Sequence, residues 1–103
     1  MKIIVPHNKP KEEVIQTIDR SIDDLLRQSL PVKFTVQQRT WQGSTLTFAV
    51  AAKVGFVNAP VKGSIEVTDT DLIIDVDLGM LSNFVSDEKA RAVVGTRIRG
   101  LLK

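Results

Sequence analysis

The stretch VKGSIEVTDTDLIIDVDLGM, residues 61–80, decides the fold. Apolar and polar residues alternate in it on both sides of Thr68-Asp69-Thr70-Asp71, a run of turn-forming residues. Such alternation predicts a strand with one buried face, and turn residues between two such strands predict an antiparallel hairpin. The stretch therefore predicts two neighbouring strands of an antiparallel sheet that is covered on one side.

The same alternation predicts further strands toward the N-terminus. Short apolar patterns at residues 3–5, 32–37 and 46–50 read as strands, the last two joined by a turn at residues 41–45. We expect Trp41 to cap the core at this hairpin end, because large aromatic side chains mostly serve packing. Asn58-Ala59-Pro60 is expected to break the strand that follows, since proline cannot donate to a sheet ladder.

Two segments show helical periodicity instead. Residues 10–29 carry apolar residues every three or four positions, after Pro10 and the acidic pair Glu12 and Glu13, which suit the first turn of a helix. Ser86 is expected to cap a second helix near the C-terminus, in which acidic residues lead and basic residues trail. Because each strand has a single apolar face, both helices must cover that face.

The order of elements, β-α-β-β-β-β-α, predicts one α+β domain over residues 1–103. We expect an antiparallel meander of about five strands with the first strand added at one edge. The order is similar to that of a reduced helix-grip domain, in which a curved sheet and a long C-terminal helix enclose apolar ligands. That topological likeness does not by itself convey a ligand.

Composition excludes several classes of function. The chain has 103 residues and no cysteine, and the absence of cysteine favours a reducing compartment. Its formal net charge of +2 is too small to support a nucleic-acid partner. The apolar run at the N-terminus ends at Pro6, too early for a signal peptide or a membrane span. A cytoplasmic location is the expectation.

No catalytic, cofactor-binding or metal site is expected. His7 is the only histidine and has no partner for a triad or a zinc site. Asp75 and Asp77 share one face of a strand, but we assign them to a solvated, charge-balanced sheet face with Lys53 and Lys62 nearby. The glycines form no phosphate-binding motif. We therefore expect a protein that is not an enzyme and uses no cofactor.

Two binding hypotheses remain open. The connection after the last strand is apolar, and exposed apolar surface of this kind marks contact with an apolar polymer, a lipid surface or a protein partner. The first hypothesis is that the protein binds such a partner. The candidate contact residues are Met80, Leu81 and Phe84 in this connection, together with Phe56. The alternative is a small carrier of an apolar molecule in a cavity between the sheet and the C-terminal helix, lined by Phe48, Val50, Ile65, Val76, Ile98 and Leu102. Pairing through either edge strand would make a homodimer.

The chain also resembles a family of small bacterial proteins named for the polyhydroxyalkanoate system. The resemblance spans nearly the whole chain, and its carriers are His7, Glu12-Glu13, Trp41-x-Gly43-x-x-Leu46-x-Phe48, Gly63-x-Ile65-x-Val67-Thr68-Asp69, Asp75-Val76-Asp77-Leu78 and Ile98-x-x-Leu101-Leu102. These are turn and core positions and not a catalytic motif, so they indicate a shared fold and say little about chemistry. The resemblance implies a cytoplasmic bacterial protein that is associated with hydrophobic storage granules and has no established activity. Together with the apolar connection, it leads us to expect a noncatalytic accessory or binding protein.

Overall fold

The structure is a computed structural model that describes residues 1–29, 33–79 and 86–102. Five strands form one antiparallel sheet in the order β1-β5-β4-β3-β2, and two helices accompany it. The elements are β1 (Lys2–Pro6), α1 (Lys11–Ser29), β2 (Lys33–Gln42), β3 (Thr45–Val54), β4 (Val57–Val67), β5 (Asp71–Asp77) and α2 (Asp87–Leu101). The predicted α+β class, element order and edge position of β1 are confirmed.

The core lies between one face of the sheet and the two helices. Its buried side chains come from every other residue of β1, β3, β4 and β5, together with the apolar stripes of α1 and α2. Val14, Ile18 and Ile22 face the sheet from α1, and Ala90 and Ile98 do so from α2. The opposite sheet face is mostly polar, as the alternation predicted, apart from the neighbouring pair Ile4 and Ile73.

Both helices start where their sequences indicate. The Pro10 carbonyl accepts the first helical hydrogen bond of α1 from the Val14 N–H at 3.1 Å. The Ser86 hydroxyl accepts from the Lys89 N–H at 3.2 Å, which makes Ser86 the cap of α2. The prediction of this cap is confirmed.

The predicted break at Asn58-Ala59-Pro60 is wrong, because β4 runs through it from Val57 to Val67. Pro60 pairs with Ala51 of β3, whereas β5 pairs with β4 only from Lys62 onward. The Pro60 carbonyl oxygen points away from β3, toward Gly79 beyond the end of β5. The N and O of one residue share a side of a strand, so the missing N–H costs no bond to β3.

Because β4 continues past β5, the sheet has a projecting arm. The arm consists of the β3–β4 hairpin beyond Val50 and Val61, with the start of β2 beside it. The four strand residues and one turn residue on each side, at about 3.4 Å each, give it a length of roughly 17 Å. The molecule is elongated, with extents of 42, 25 and 18 Å along its principal axes.

Candidate functional site

The tip of the arm carries the most exposed large apolar side chain of the described residues. The turn between β3 and β4 is Gly55-Phe56, and Gly55 has a φ of +62°, a conformation that favours glycine. This tight turn leaves the Phe56 side chain fully exposed, and the next residue, Val57, is 38% exposed. Phe56 is thus an accessible apolar anchor, as the first binding hypothesis requires.

Basic residues flank this apolar tip. Lys33 of β2 and Lys53 of β3 are direct partners in the sheet register, and both are exposed. Like charges placed directly opposite each other on neighbouring strands are destabilising. In the described part of the chain, no acidic side chain lies within ion-pair distance of either lysine. The tip therefore combines an exposed aromatic ring with a repulsive pair of cations.

Met80, Leu81 and Phe84, the other candidate contact residues of the first binding hypothesis, lie outside the described residues. The six residues expected to line a cavity are all buried in the core, each with at most 8% of its surface exposed. Of these six, Leu102 also borders an open depression, described below. The carrier hypothesis stays a prediction.

The paired carboxylates lie on the polar sheet face. Asp77 is opposite Lys62 of β4, and Asp75 lies between Lys2 of β1 and Ser64 of β4. The expected neighbour Lys62 is confirmed, whereas Lys53 pairs with Asn58 and is not beside the carboxylates. Within residues 1–29, 33–79 and 86–102, no three His, Asp or Glu side chains come close enough together to hold a metal ion.

A polar network that the sequence pattern did not predict joins α1 to β2. A β-bulge at Gln37 shifts the register, so that Arg39 and Trp41 lie opposite the inward-facing Phe48 and Leu46. Both side chains therefore reach α1. Without the bulge, the alternation from Phe34 and Val36 would place Gln38 and Thr40 on this face.

Asp19 is the centre of this network. Arg39 donates to its carboxylate at 2.6 Å and to its backbone carbonyl, and also pairs with Asp23 at 3.4 Å. The Trp41 indole N–H donates to Asp19 at 2.9 Å. The Arg39 hydrogen bond, followed by that from Trp41, holds the pKa of the Asp19 carboxyl below its ordinary value. Trp41 also packs against the core, as predicted, although it lies within β2 rather than in the turn.

His7 has a structural environment. Its Nε2 lies 2.9 Å from the Thr68 carbonyl, and its Nδ1 accepts from the Lys9 N–H at 3.3 Å. The His7 N–H donates to the Thr70 carbonyl at 2.9 Å. A neutral ring with its proton on Nε2 satisfies both side-chain contacts. His7 thus ties the connection between β1 and α1 to the β4–β5 turn.

A family model described as "putative polyhydroxyalkanoic acid system protein" matches residues 1–98. The chain belongs to this family. No curated protein and no solved structure matches the chain. Neither helix in the described part of the chain combines the length and apolar content that a membrane crossing requires.

Proposed function

We propose that this member of the polyhydroxyalkanoic acid system family is a noncatalytic accessory protein that binds an apolar surface, a storage-polymer granule or a lipid layer, through the tip of its arm. The observation that carries the proposal is Phe56, which is fully exposed at the end of the longest hairpin. The family membership supplies the polymer as the expected surface.

The geometry of the arm suits insertion into an interface. Phe56 lies in the turn beyond Ala52 and Ala59, the last buried residues of the hairpin, so its side chain can enter an apolar layer while these two residues stay buried. Burial of a phenylalanine side chain contributes about 1.5–3 kcal/mol. One such anchor corresponds to a gain of roughly 10- to 150-fold in partitioning, which predicts weak, reversible binding of a single chain.

The lysine pair beside the tip favours binding to an apolar surface that also carries negative charge. Bringing Lys33 and Lys53 together costs free energy in the isolated protein. An anionic layer would relieve this repulsion, and each lysine near such a layer contributes about 1 kcal/mol. Binding is therefore expected to weaken as the salt concentration rises.

Co-sedimentation with polyhydroxybutyrate particles tests the proposal. The variant Phe56→Ser should lower the partition coefficient at least tenfold, while its thermal unfolding should match that of the wild type because the side chain makes no buried contacts. The matched control is Ile4→Ser, which removes a 55% exposed apolar side chain from the outer face of β1, away from the arm. Absence of wild-type binding, or equal loss in both variants, would exclude the arm as the binding element.

A further inference from the structure

A second site lies at the end of the molecule opposite the arm. The connection after β1 meets the last turn of α2 there and forms an open depression of about 470 Å³, lined by Pro6, His7, Asn8, Arg99 and Leu102. Pro6 is paired with Asp71, at the end of β5 remote from the arm. The volume falls within the range of small-molecule sites.

The wall of this depression is held in place before any ligand binds. The hydrogen bonds of His7 to the Thr68 and Thr70 carbonyls fix the connection against the β4–β5 turn, and the Lys9 N–H, within the connection, donates to the His7 ring. Leu102 is anchored from the other side, because its side chain is buried and its N–H donates to the Ile98 carbonyl at 3.1 Å. A preformed wall lowers the entropic cost of binding.

Two polar side chains at the depression have unused hydrogen-bonding capacity. Neither the Arg99 guanidinium nor the Asn8 amide makes a hydrogen bond or ion pair within the described structure. The Arg99 Cζ, Nη1 and Nη2 atoms all lie 3.7–3.8 Å from the position that a Cβ on Gly95 would occupy. The guanidinium is therefore flat against the bare backbone of α2, and its N–H groups at the plane's edge are available to an acceptor.

These groups define the chemistry of a ligand. A guanidinium and a carboxamide together can donate several hydrogen bonds to a carboxylate, and Arg matches its two oxygens in one plane. Pro6 offers exposed apolar surface beside them, and Leu102 adds the small part of its side chain that is not buried. The free carbonyls at the end of α2 would repel an anion, so Arg99 must supply the attraction.

We infer that this depression binds a small carboxylic acid with a short apolar tail, its carboxylate on Arg99 and Asn8 and its tail against Pro6 and Leu102. The site shares no residue with the tip of the arm, so the inference stands or falls separately from the proposed function.

Titration of the ¹⁵N-labelled protein with butyrate, followed by amide chemical shifts, tests the inference. Saturable shifts are expected at Asn8, Arg99 and Leu102, with millimolar affinity. Acetate should bind about tenfold more weakly because it lacks two methylene groups, and neutral butyramide should not saturate. Phosphate binding as tight as butyrate binding would overturn the assignment to a carboxylate with a tail, as would the absence of saturable shifts.

Variants locate the binding groups. Arg99→Gln should weaken butyrate at least tenfold, and Asn8→Ala about threefold; both side chains are exposed, so the fold should be retained. The matched control is Arg91→Gln, which removes the same charge from an exposed position of α2 outside the depression. Equal weakening by Arg91→Gln and Arg99→Gln would mean that overall charge attracts the anion, and would refute the site.

Discussion

Gly63 occupies a position where the sheet has no room for a side chain. It lies at the middle of the inner face, with Phe48 of β3 and Val76 of β5 as its register partners. A Cβ at Gly63 would lie 2.5 Å from the Phe48 Cζ and 3.0 Å from the Asp75 carbonyl oxygen. The Phe48 ring therefore covers Gly63, and the two residues form a matched pair.

The expected effect of Gly63→Ala follows from two opposing contributions. Insertion of a methyl group into a filled core costs about 1–3 kcal/mol, because Phe48 is only 3% exposed and the Asp75 oxygen belongs to the backbone. The lower backbone entropy of alanine in the unfolded chain returns about 0.5–1 kcal/mol. Steric cost wins, so we expect a net destabilisation of about 1 kcal/mol, or roughly 4–8 °C in melting temperature.

Urea unfolding of a double-mutant cycle measures this effect. In a Phe48→Leu background the ring is absent, so Gly63→Ala should be neutral or stabilising there, and the two sites should couple by about 1–3 kcal/mol. A wild-type background in which Gly63→Ala costs nothing would refute the reasoning. It would mean that Phe48 can move into empty space, and the carrier hypothesis would then gain support.

Three further predictions concern the surface of the fold. Arg39→Met should lower the free energy of unfolding by about 0.5 kcal/mol near pH 7, a value kept small by solvent screening of the half-exposed Asp19. Because the folded pKa of Asp19 is depressed, this difference should persist above pH 3.8, the ordinary value, and disappear as pH falls through the folded pKa; a difference independent of pH in chemical unfolding would contradict it. Ser86→Ala should cost about 1 kcal/mol in the same assay through loss of the α2 cap, with Ser86→Thr as the conservative control. Gly100→Ala should raise the melting temperature, since a Cβ there meets no atom within 4 Å and alanine favours the helix by up to about 1 kcal/mol; a lowered value would exclude the helical conformation at this residue.

The strands and the helix starts could be predicted because their signals are local, and the strand order followed from the tendency of sequential strands to pair. Alternation around Ile65 and Ile74 specifies a buried face from consecutive residues, and the Ser86 cap depends on an amide three positions away. Family membership follows from the same core and turn positions. The arm was not predicted, because a proline such as Pro60 normally breaks a strand. It is tolerated only where its nitrogen faces no partner strand, and the sequence does not show this.

The candidate sites depend on contacts between distant parts of the chain. Phe56 is exposed at the end of an arm that exists because β5 does not pair with residues 57–61 of β4. The depression forms where α2 meets the segment after β1, more than 90 positions earlier in the chain. The register of Arg39 with Phe48 depends on one inserted residue in β2. By itself the sequence determined an α+β domain with one apolar sheet face and no recognisable catalytic motif. Only the tertiary structure decided which polar and aromatic side chains share a surface, because those contacts join residues whose separation along the chain carries no periodic signal.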